Sequence, residues 1–239
     1  MRKILLSLVA ISVLVSMQTI AAQDRLSPLD APTALRLPAT LPPCGITTVL
    51  LTLARTSRVA IGFEEETACR GQFPRLSVTY DKAGDVSVRE ALDRLMALSA
   101  KYQWSEMNGV AVVRPVASWA DPADALNLEV GPFHSDNATV SGTLARILQS
   151  PHNFTSHLDH PAFSMAFNGG TMVEALNALV RAREGVGWYA GLIVHPTPSN
   201  EDRSPTLTVG IRTFNVGDRG EGEGAFQMGR VLPISPARR

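Results

Sequence analysis

Apolar positions along the chain change their period several times, and each change marks a predicted element. Ile46, Val49, Leu50 and Leu53 recur at the spacing of one helix face. Val59, Ile61 and Phe63 then alternate as a half-buried strand, and Leu76, Val78 and Tyr80 form a second after a loop holding Cys69 and Gly71. A helix from Val88 to about Ser99 buries Ala91, Leu92, Leu95 and Met96, with Ser87 and Glu90 spaced as a capping box. Short strands at Tyr102 to Ser105 and Val110 to Arg114 flank Asn108-Gly109, a turn that favours positive φ.

A similar order returns beyond the proline-marked junction Pro115 to Pro122. Leu126, Leu128 and Val130 alternate as a strand, and Val140, Leu144, Ile147 and Leu148 share a helical face. Phe163, Met165 and Phe167 alternate, and Thr171 and Glu174 form a second capping box ahead of a helix with Ala175, Leu176 and Leu179 inward. EALDRLMALSAKYQW aligns with EALNALVRAREGVGW without a gap, which sets Leu92 on Leu176 and Trp104 on Trp188. An internal repeat is therefore expected. The fold class predicted is α+β: two small units, each with two helices packed on one face of a short-stranded sheet. Strands near Trp188 to Val194 and Leu207 to Thr213 would make a long-looped hairpin, while glycine and charge from Asn215 to Arg239 predict a disordered tail.

The two ends of the pattern set the compartment and the boundaries. Residues 1–22 hold Arg2 and Lys3, an apolar run from Ile4 to about Met17, and small residues at Ala21 and Ala22, the layout of a secretory signal peptide. The expected location is the periplasm or the extracellular space, with no integral membrane segment once the signal is removed. Its removal leaves 20 basic against 22 acidic residues, a balance that gives no electrostatic reason to seek nucleic acid. Residues 23–43 form a lead-in with five prolines and one edge strand at Leu35 to Leu37. The units are expected over 44–115 and 123–214, the first starting near 35 if the edge strand is counted. Cys44 and Cys69 are the only cysteines, and an oxidising compartment would let them close a disulfide; two buried thiols are the alternative.

The stretches LRLPATLPPCGITTVLLTLARTSRVAIGFE, LSVTY and DVSVREALDRLMALSAKYQWSEMNGVAVVRP, over Leu35 to Pro115, resemble the short N-terminal (STN) domain of secretins and TonB-dependent receptors. The second unit looks like a diverged copy. The resemblance implies a small periplasmic α/β module that binds segments of envelope proteins or packs against neighbouring copies, without catalysis. No plug, receptor barrel or secretin pore segment follows, which argues against signal transduction and channel formation. The cysteine pair departs from the family pattern and would tie the first helix to the loop beyond the strand that follows it.

Candidate chemistry is sparse. No G-x-S-x-G is present, and no cofactor is expected. His152, His157, Asp159 and His160 could hold zinc, and a small metal-dependent hydrolase built on this loop is the enzymatic alternative. Their spacing fits no standard site, so they read as a polar surface loop. His134 and Asp136 read as turn residues. Glu64, Glu65 and Glu66 read as a solvated acidic face, with partner docking as the functional alternative. Trp104, Trp188 and Tyr189 favour core packing. If a groove exists, Phe63, Tyr80 and Trp104 are its candidate lining, and an extended partner segment would add to an open sheet edge. A purely structural, self-associating subunit is the third reading.

Overall fold

The computed structural model describes residues 27–66, 69, 79–80, 86–149, 161–195, 206–216 and 223–233. The N-terminal stretch read as a signal peptide and the stretch from His152 to His160 lie outside them. In the first half, β1 (Pro32–Thr33) and β2 (Leu35–Arg36) lead into α1 (Ile46–Ser57) and β3 (Ile61–Glu64). They are followed by β4 (Thr79–Tyr80), β5 (Val86–Ser87), α2 (Val88–Leu98), β6 (Tyr102–Met107) and β7 (Val110–Pro115). A short α3 (Val116–Ala120) and a 3-10 turn (Ala125–Asn127) join the halves. The second half contains β8 (Glu129–Val130), β9 (Phe133–Ala138), α4 (Val140–Ile147), β10 (Phe163–Phe167), β11 (Gly170–Thr171) and α5 (Met172–Ala182). It closes with β12 (Val186–His195), β13 (Thr206–Asn215) and β14 (Glu223–Pro233). The protein is mixed α and β, as expected.

The four longer helices form where the apolar spacing placed them, whereas the short α3 falls in the stretch read as a proline-marked junction. Val49, Leu50 and Leu53 of α1, and Val88, Ala91, Leu92 and Leu95 of α2, are buried. So are Leu144 and Ile147 of α4 and Ala175, Leu176 and Leu179 of α5. The cap at Thr171 is a complete capping box. At Ser87 only half of it forms: the serine accepts the Glu90 backbone N–H, but the Glu90 carboxylate turns to Arg94 four residues on. The competing i, i+4 ion pair is available only because position 94 is basic.

Strands of both halves form one six-stranded sheet in the order β14-β13-β12-β3-β7-β6. This corrects the expectation of a separate sheet for each unit. The join is parallel, with Trp188, Tyr189 and Ala190 of β12 opposite Gly62, Phe63 and Glu64 of β3. Each face of the sheet then carries one helix pair. Ala111 and Val113 of β7 pack with Ile61, Phe63, α1 and α2, whereas Val110 and Val112 pack with Trp188, Ala190, α4 and α5. Side chains alternate across a strand, so these two clusters lie on opposite faces. A strand covered on both sides becomes a continuous apolar run, which explains VAVV in β7 and the burial of all four residues of β3, expected to be only half buried.

Two glycines make the central join close. A Cβ on Gly62 would lie 2.2 Å from the Trp188 ring, and one on Gly187 would lie 2.3 Å from the Phe214 ring. Each aromatic ring occupies the space left bare at its paired glycine, Trp188 at Gly62 of β3 and Phe214 at Gly187 of β12. Asn108 and Gly109 take positive φ between β6 and β7, as their types predict.

Three further expectations are corrected. Leu126 lies in the 3-10 turn rather than in a strand, and strand pairing begins only at Glu129. The expected disordered tail instead supplies β14, whose backbone pairs antiparallel with β13. Phe226, Gln227 and Met228 do alternate in the manner of a strand, within a stretch otherwise rich in glycine and charge. His134 and Asp136 lie in β9, not in a turn, and are exposed with their side chains 3.1 Å apart.

Candidate functional site

The central sheet ends on one side at β6, which among the described residues pairs only with β7. Along β6, Tyr102 and Trp104 turn towards the α1/α2 layer, while Gln103 and Ser105 are exposed on the other face. Trp104 is half-buried: its indole N–H donates to Asp93 Oδ1 of α2 at 2.8 Å, and the Arg89 guanidinium lies 5.6 Å from its ring. The aromatic group expected to line a groove is not assembled among the described residues. Phe63 is buried in the core between the rings of Tyr102 and Tyr189, and only the backbone of Tyr80 is described.

The acidic triplet does not form a solvated face. Glu64 and Glu65 are buried, because β3 runs through the middle of the sheet rather than ending at its surface. Glu64 accepts from Arg114 Nε at 2.6 Å and from Ser118 Oγ at 2.9 Å. Arg114, at the end of β7, also donates to Asn127 Oδ1 at 2.8 Å and to Asp124 Oδ1 at 2.9 Å, and stacks on Trp119. One guanidinium thus holds two carboxylates and the segment that carries the chain from β7 to the second half. Burial pushes the Glu64 carboxyl up to about 7 and the nearby Asp124 adds to the rise, while the Arg114 charge and hydrogen bond oppose it.

Glu65 points to the other face, where the hydroxyls of Thr47 and Tyr189 donate to it and so tie the start of α1 to β12. Glu66 is half-exposed and paired with Lys101 at 3.0 Å, and its backbone N–H donates to the Tyr102 hydroxyl. Burial raises the Tyr102 phenol well above the ordinary tyrosine range, so it stays protonated.

Cys44 and Cys69 form a disulfide, with Cα atoms 5.0 Å apart. It borders a cleft of about 510 Å³ between the lead-in residues Leu41 and Pro42, the end of α2 at Leu98, and Lys101 and Tyr102 at the start of β6. A second cleft, of about 470 Å³, lies between Leu35, Leu37 and Val86, with Arg36 and Arg94 in its walls. Both reach Leu98, which with Val116 is one of two exposed large hydrophobic side chains among the described residues.

Arg114, Leu98 and Arg36 carry this geometry, and none stands out in a reading of motifs. For Arg114 a signal exists, since a single arginine closing the run VAVVR must find carboxylates if the strand is central. No helix among the described residues is long and apolar enough to cross a membrane. The chain matches no protein-family model, no curated protein and no solved structure.

Proposed function

We propose that the chain is a non-catalytic protein-binding or assembly module of the bacterial envelope, exported by its N-terminal segment and built from two related STN-like units. The tandem relation is supported by more than the aligned helices. Trp104 bonds to Asp93 and Trp188 to Asn177, each eleven residues back, and these two pairs stand at the same offset as Leu92 and Leu176. The flanking pairings correspond as well: β1 with β5 precedes α2 as β8 with β11 precedes α5. A disulfide accords with an oxidising compartment.

The observation that carries the binding reading is the outer edge of β6, unpartnered among the described residues and adjoining the cleft at Tyr102. An extended segment can complete such a ladder with main-chain hydrogen bonds, and nearby clefts then select side chains. A photocrosslinking residue at Gln103, compared with one at exposed Arg181 on α5, tests this in intact cells. A single envelope protein captured from Gln103 and not from Arg181 is expected. Capture of a second copy of the chain would favour self-assembly, and no adduct at Gln103 would sink the edge reading.

A further inference from the structure

The two clefts meet at Leu98, 38 % exposed at the end of α2, and the lead-in from Thr33 to Ile46 runs along both. Leu35 and Leu37 form the apolar part of one floor, and Leu41 and Ile46 that of the other. The walls are charged unevenly. Arg36 is exposed and makes no ion pair among the described residues. Among the described residues, Arg94 pairs with Glu90 on its own helix, both side chains being about half-exposed, a contact that adds little and is readily exchanged. Among the described residues, Glu66 is the one carboxylate in these walls, and Lys101 already holds it.

We infer that these joined clefts take an extended, acidic and apolar segment of a partner protein. Apolar side chains of the segment would fill the floors on either side of Leu98, and its carboxylates would meet Arg36 and Arg94. An arginine can grip a carboxylate through two parallel hydrogen bonds, whereas a lysine-rich segment would bring like charges together over an apolar floor. Arg36 and Arg94 line the same cleft, so the segment's carboxylates would sit there, and its remainder would reach the second cleft by passing over Leu98 in an extended form. This inference rests on the protein-binding reading and names the chemistry of the partner.

The test uses fluorescein-labelled Leu-Asp-Leu-Glu-Leu, with Leu-Lys-Leu-Lys-Leu as its counterpart, titrated with the purified protein and read by anisotropy. The acidic peptide should bind saturably and weaken on the order of tenfold in Arg36→Glu and in Leu98→Ser, both surface changes that leave the thermal unfolding curve in place. The basic peptide should bind to Arg36→Glu better than to the parent. Equal binding of the two peptides by the parent protein, no saturable binding of the acidic one, or an affinity unchanged in both variants would overturn the inference. Gln103 crosslinks that persist in Arg36→Glu alongside such a result would show that the cleft assignment has failed while partner binding at the edge stands.

Discussion

Trp188 donates its indole N–H to Asn177 Oδ1 at 2.9 Å, in a site where both side chains are almost fully buried. The corresponding bond in the first half, Trp104 to Asp93, is exposed. One sequence spacing therefore gives two bonds of unequal importance, because water can replace Asp93 but cannot reach Nε1 of Trp188. Asn177→Ala should cost about 1 to 3 kcal/mol, the penalty of an orphaned buried donor, and Asp93→Ala below about 1. Urea unfolding of the two variants measures the difference, and the reverse order would contradict the burial.

Gly62 and Trp188 should be energetically coupled. Gly62→Ala drives a methyl group into the indole ring and should destabilise by about 1 to 3 kcal/mol. The same change in a Trp188→Leu background should cost far less. A double-mutant cycle reads the coupling, and additive effects would place the ring elsewhere.

Leu92 and Leu176 are fully buried on opposite faces of one sheet. Replacing either with Ala should cost about 2 to 4 kcal/mol through lost burial and the cavity left behind. Since the sheet is shared, each variant should still unfold in a single transition, by fluorescence and by far-ultraviolet circular dichroism alike. Two separated transitions would mean that the halves are independent, and near-zero loss at both sites would remove the paired cores.

Glu64 makes stability depend on pH. Its carboxyl is raised from the ordinary 4.5 to about 7, so the folded state favours the protonated form. That contribution is complete below the unfolded value and is lost as pH rises through about 7, amounting to on the order of 3 kcal/mol at most. The protein should accordingly lose stability between pH 5 and pH 8. Arg114 retains Asp124 as its counter-charge, so Glu64→Gln should flatten this dependence and raise stability at pH 8 relative to the parent. A parent profile that rises over the same interval would reverse the assignment.

The helices were legible because their signal is local. Leu92, Leu95 and Leu179 sit one or two turns from their neighbours, and the cap at Thr171 involves residues three apart. The turn at Asn108-Gly109 and the partners Cys44 and Cys69 were legible for related reasons: backbone freedom is a property of residue type, and two cysteines allow one pairing. Charge was misread where its outcome depends on distant strands. Glu64, Glu65 and Glu66 look alike in sequence. Yet β3 lies between β7 and β12, and that position buries the first two against partners contributed by residues 47, 114, 118 and 189.

Sequence by itself determined where the four longer helices form and which side of each is apolar, since both follow from side-chain spacing along a short stretch of chain. Only the tertiary structure decided that the halves share one sheet with a helix pair on each face, that Gly62 makes room for Trp188, and that Arg114 closes the crossing between halves. Those outcomes depend on which strand lies beside which. Strand pairing is set by the total burial and charge neutralisation of residues far apart in the chain, a sum that no local pattern contains.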